Sequence, residues 1–160
     1  MVRLVAFIFA FGLALGFALP SGKVGNATAE AATPGQQREV VLTRGSTGHF
    51  FTDAKVNGKA SVHFIVDTGA STVALTVDDA RRLGLPIDPA NFEVIAEGAG
   101  GPVRGQMLWL DSVDVDGIRA EKVRAMVLEG SSMSLLGQTF LARVDQVSMS
   151  GDYLSLRDGA

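Results

Sequence analysis

Val66-Asp67-Thr68-Gly69-Ala70-Ser71 places a carboxylate at the end of an apolar strand and follows it at once with a glycine turn. In the residues leading up to it, Val62, Phe64 and Val66 fall on one face. Ser61, His63, Ile65 and Asp67 fall on the other, the alternation of a half-buried strand. That strand delivers Asp67 to its own end. Upstream, Asn57-Gly58 is a strong hairpin signal, because both turn positions need positive φ, and it joins Lys59 to Asp67 with a preceding strand over His49 to Val56. Before that, Gly45-Ser46-Thr47-Gly48 reads as a turn and Val40-Val41-Leu42 as a first strand. Downstream, Thr72-Val73-Ala74-Leu75 reads as a short returning strand. Thr76-x-x-Asp79 opens a helix with a capping-box type of start, and Gly84 followed by Pro86 ends it.

Further along, Phe92-Glu93-Val94-Ile95 and Val103 to Val115 read as two strands. They are joined through Glu97-Gly98-Ala99-Gly100-Gly101-Pro102, a loop with almost no side chains and therefore free to move. Met107 and Trp109 share one face of the second strand, and Trp109 reads as core rather than as a substrate contact. Asp116-Gly117 signals another hairpin before Ile118 to Leu128. The chain closes with Leu135-Leu136-Gly137, a helical turn around Gln138 to Ala142, and a hairpin of Val144 to Met149 with Tyr153 to Leu156. Many short strands punctuated by glycine, with one or two short helices, predict an all-β single-domain barrel.

Asp-Thr-Gly-Ala at the end of an apolar strand resembles the signature of aspartic proteases. Leu135-Leu136-Gly137, some seventy residues later, resembles the apolar-apolar-Gly element that packs against the catalytic loop in that superfamily, and the glycine-rich hairpin between them lies where the family places its flap. Gly48-His49-Phe50, Asn57-Gly58, the Asp67 motif, Ala80-Arg81-Arg82-Leu83-Gly84 and Leu135-Leu136-Gly137-Gln138-Thr139-Phe140-Leu141 together look like the bacterial single-domain, membrane-targeted retropepsin-like proteases. The resemblance implies a retropepsin-like acid protease barrel and an aspartic endopeptidase. Asp67 would be the catalytic residue, Thr68, Gly69, Ala70 and Ser71 its supporting loop, Glu97, Gly98, Ala99, Gly100 and Gly101 the flap, and Leu135, Leu136 and Gly137 the second-loop packing.

Amide hydrolysis by this route needs two carboxylates about 3 Å apart sharing one proton, because like charges so close cannot both ionise. One chain supplies a single Asp-Thr-Gly, so a two-fold homodimer is expected; pairing with a related chain stays open. The resemblance further implies that Thr68 hydrogen-bonds across the two-fold axis. Ala70, where pepsin-like enzymes carry a serine, matches the retroviral type and implies activity at mildly acidic to near-neutral pH. An extended peptide or protein is the expected substrate. The alternative is a retropepsin-like dimerisation or peptide-binding module in the periplasm that cuts nothing, since fold does not dictate function.

Residues 1–22 read as a signal peptide or an N-terminal membrane anchor, because Arg3 is followed by an unbroken apolar run from Leu4 to Leu19. Residues 23–38 read as a flexible linker and residues 39–160 as the protease domain. The expected location is periplasmic or extracytoplasmic, with membrane contact through the N-terminal segment if it is not cleaved. Formal net charge is −3, and no Lys/Arg cluster offers a phosphate-tracking face, which excludes nucleic acid as a partner. There is no cysteine, and His49 and His63 are the only histidines. No metal site and no cofactor are expected.

Overall fold

The computed structural model describes residues 37–98 and 101–159. The expected signal peptide or membrane anchor, nearly all of the expected linker, and Ala99 and Gly100 of the expected flap lie outside the described residues. In chain order the elements are β1 (Arg38–Thr43), β2 (Phe51–Val56), β3 (Ala60–Val66), β4 (Val73–Thr76), α1 (Val77–Arg82), β5 (Glu93–Gly98), β6 (Gly101–Val115), β7 (Ile118–Leu128), β8 (Ser134–Leu136), α2 (Gln138–Leu141), β9 (Gln146–Ser150) and β10 (Tyr153–Asp158).

Both hairpin signals act as their chemistry dictates. Asn57 and Gly58 sit at φ 52° and 65°, and Asp116 and Gly117 at 47° and 91°, so each turn uses two positive-φ residues that match the strand twist. The hairpins seed a barrel in which β2, β3, β8, β4, β7 and β6 pair in that order. The ring closes where Lys55 and Val56 of β2 meet Asp114 and Val113 of β6. β5 adds to β6 outside the ring, and β1, β10 and β9 form a separate three-stranded sheet. The inward positions are those the alternation selects: Val62, Phe64 and Val66 are buried with Leu75, Leu110, Leu136, Phe140 and Leu156. The all-β barrel with two short helices is therefore the observed fold.

Two expectations change. Trp109 is 66% exposed, not core. β6 carries bulky apolar side chains on both faces, and barrel closure turns Leu108 and Leu110 inward, leaving Met107 and Trp109 outside. The stretch Glu97 to Pro102 is also less open than its composition implies: Glu97 pairs with Pro102 and Gly98 with Gly101, so the β5–β6 ladder runs to the edge of the described backbone.

α1 begins as its capping pattern predicts, with Thr76 Oγ1 accepting from the Asp79 backbone N–H at 3.0 Å. The Asp79 carboxylate then ties the helix to β8, accepting from Ser134 Oγ at 2.6 Å and pairing with Arg82. Burial pushes this carboxyl up. Hydrogen bonds with Ser134, Arg82 and Thr76, joined by the Arg82 charge, outweigh burial and hold it below the ordinary aspartate range. A group whose folded value is depressed contributes stability above its unfolded value and loses it as pH falls through the folded one. Asp79→Asn is accordingly expected to cost about 1–2 kcal/mol at neutral pH. In urea titrations the gap to wild type should close as the solution is made strongly acidic; a gap constant with pH would show that the charge contributes nothing.

Candidate active site

Asp67 is the first residue beyond β3, and its main chain is held from two sides. β3 runs parallel to β8 through Phe64, Ile65 and Val66 against Ser134, Leu135 and Leu136. The Val66 N–H donates to Phe50 O at 2.9 Å and the Asp67 N–H to Leu136 O at 3.1 Å. The chain then turns, with the Ala70 N–H donating to Asp67 O at 3.2 Å. Inside this turn the Gly69 N–H donates to Asp67 Oδ1 at 2.9 Å, which orients the carboxylate relative to its own loop. A Cβ on Gly69 would stand 3.3 Å from that oxygen, so glycine leaves the carboxylate uncrowded. Asp67 is half-buried, whereas Thr68, Gly69 and Ser71 are exposed.

The loop at Gly137 packs against the Asp67 loop. Gly137 lies so close to residues 70–72 that a Cβ would strike Thr72 O and come within 2.7 Å of Ala70 O. Just beyond it, the Gln138 N–H donates to Ala70 O at 2.9 Å, and Gln138 Nε2 donates to Thr68 O at 2.7 Å. Thr139 Oγ1 accepts from the Val73 N–H at 2.9 Å and donates to Arg124 O at 2.7 Å, joining the exit of the Asp67 loop to β7. Sequence reasoning singled out Leu135, Leu136 and Gly137 but missed Gln138 and Thr139 as loop holders. Their signal was only position, directly after an apolar-apolar-Gly run.

Of the expected flap, Glu97, Gly98 and Gly101 form the end of the β5–β6 hairpin. Two concavities, of about 320 Å³ among residues that include His63, Asp78, Arg82 and Ser134 and of about 290 Å³ beside Trp109, do not include Asp67. His63 is occupied elsewhere: Nδ1 lies 2.9 Å from Asp53 Oδ1 and its ring stacks on Phe51 at 5.4 Å. Among the described residues no group of three or more His, Cys, Asp or Glu side chains could hold a metal ion.

The family described as "gag-polyprotein putative aspartyl protease" matches residues 52–143, a span that runs from β2 through the Asp67 loop to α2. The chain belongs to the retropepsin-like aspartic protease family. Among solved structures, the crystal structure of a retropepsin-like aspartic protease from Rickettsia conorii superposes with a TM-score of 0.68 at 29% identity, covering 82% of this chain and 99% of that one. An uncharacterized protein in the cobV 5' region of a Sinorhizobium species is 38% identical over 159 residues, 96% of this chain. An uncharacterized protein of Rickettsia prowazekii (strain Madrid E) is 34% identical over 119 residues, 74% of this chain. The chain spans 66% and 51% of the lengths of these two relatives. In retropepsin-like terms, the Asp67 loop and the loop at Gly137 are the two pieces that the chain brings together from seventy residues apart.

Proposed function

We propose that this retropepsin-like chain is an aspartic endopeptidase whose dyad forms from Asp67 of two identical chains. The observation that carries the reading is a carboxylate set at a strand end and held by the Gly69 N–H, on a loop whose tip is exposed. In the paired state one Asp67 takes a proton from a bound water, and the protonated Asp67 of the partner subunit hydrogen-bonds the peptide carbonyl. The roles exchange as the leaving amine is protonated. Thr68 and Ser71 support the loop, and the hairpin through Glu97 and Gly101 covers an extended peptide, excluding water from the reacting carbonyl.

Three features support the homodimer. Each chain has one Asp-Thr-Gly. The two concavities, one lined by His63 and Ser134 and one beside Trp109, do not include Asp67 among their lining residues. The edge strand β9 is exposed along its whole length, and its Val147 and Met149 lie opposite the buried Leu156 and Leu154, so the apolar strip of that sheet reaches an exposed edge that a second chain can cover. We further propose that the apolar run Leu4 to Leu19 delivers the domain across a membrane, either as a cleaved signal or as an anchor.

The test is cleavage of an unstructured protein by the purified chain, measured across enzyme concentration together with sedimentation. Specific activity is expected to rise with concentration in step with the dimer and to be blocked by a statine-type transition-state mimic. A strict monomer that cleaves with constant specific activity would overturn the shared dyad.

A further inference from the structure

We propose that Gln138 is a positioning residue for the Asp67 carboxylate, acting through the Thr68–Gly69 peptide unit; the inference rests on the peptidase reading above. The carbonyl of Thr68 and the N–H of Gly69 belong to one planar group. Gln138 Nε2 donates to that carbonyl at 2.7 Å, and the N–H at the other end of the same plane donates to Asp67 Oδ1 at 2.9 Å. A rotation of the plane moves both ends together. Holding the carbonyl therefore sets the direction from which the N–H meets the carboxylate. Accepting a hydrogen bond at the carbonyl also polarises the amide and strengthens its N–H as a donor.

Gln138 is well placed to act as a fixed point. Its own N–H donates to Ala70 O at 2.9 Å, and it begins α2 directly after Gly137, whose approach to residues 70–72 leaves no room for a Cβ. The side-chain bond is not needed to keep the loop in place. The Asp67 N–H to Leu136 O, Ala70 N–H to Asp67 O and Gln138 N–H to Ala70 O bonds do that. What the side chain adds is the orientation of the one peptide plane that touches the carboxylate. Gln138 is exposed in the single chain, so replacing its side chain removes no core packing.

The experiment compares wild type with Gln138→Met, which keeps the length and loses the donor, and Gln138→Lys, which restores a donor. Enzyme concentrations are high enough that rates no longer depend on association. Gln138→Met is expected to lower kcat roughly 10-fold while KM stays within about 2-fold, and Gln138→Lys to recover most of the loss. In parallel, the Gly69 amide resonance of the 15N-labelled protein should shift in Gln138→Met and return toward its wild-type position in Gln138→Lys. An unchanged kcat in Gln138→Met, equal losses in both variants, or a Gly69 resonance that does not move would each overturn the proposal. If wild type itself cleaves nothing, the peptidase reading fails, and the Gly69 resonance alone decides whether Gln138 holds the peptide plane.

Discussion

Asp67→Asn is expected to lower kcat by about 10³-fold or more while leaving the fold and the dimer intact. The two halves of this result have separate physical causes. The Asn side chain keeps an oxygen where Asp67 Oδ1 accepts from the Gly69 N–H, and the main-chain bonds to Leu136 and Ala70 do not involve the side chain. The loop therefore keeps its shape. What disappears is chemistry: a neutral amide cannot take a proton from water, and two amides facing each other cannot share one. Steady-state kinetics on an unstructured peptide, with thermal midpoint and sedimentation as controls, checks the separation. A variant that digests a peptide library as wild type does would leave the barrel as a peptide-binding or dimerisation module.

The largest effect on stability is expected from Gly137→Ala, a loss of about 3 kcal/mol. Gly137 has φ −100° and ψ −168°, an extended conformation open to any residue, so backbone preference does not explain the glycine. Contact does. The added methyl would meet main-chain carbonyl oxygens of Thr72 and Ala70, and main chain cannot swing aside as the end of a flexible side chain would. Separating the loops would also stretch the bonds from Gln138 to Thr68 and Ala70. The variant should therefore melt about 10 °C lower and lose activity at temperatures where it is still folded. Gly58→Ala is a useful control, because nothing lies within 4 Å of its would-be Cβ and only its φ of +65° resists substitution. That change should cost about 1–2 kcal/mol and leave activity unchanged. Equal losses in the two variants would remove steric contact as the reason for glycine at position 137.

Much of the barrel was legible because its signals are local. Asn57-Gly58 and Asp116-Gly117 demand positive φ whatever surrounds them, and the alternation from Ser61 to Asp67 identifies an inner face within seven residues. The Thr76 cap likewise needs only the backbone N–H of Asp79, three residues on. Trp109 was misread because β6 is apolar on both faces, so alternation there does not say which face is inside. Closure of β6 onto β2 decides it, and that contact joins residues almost sixty positions apart. The short strand β8 was not expected as a strand, since three residues carry too little pattern. Its place between β3 and β4 comes from partners on either side.

By itself the sequence determined a carboxylate at the end of an apolar strand, a glycine turn after it, and a single such motif per chain. These depend on neighbours in the chain, whose steric and hydrogen-bonding preferences act over a few residues. Only the tertiary structure decided what holds that carboxylate. The parallel pairing of β3 with β8 carries Gly137 and Gln138 seventy residues back to the loop, where one allows the close approach and the other grips the Thr68 carbonyl. Register between distant strands selects that meeting, and no pattern within either segment encodes it.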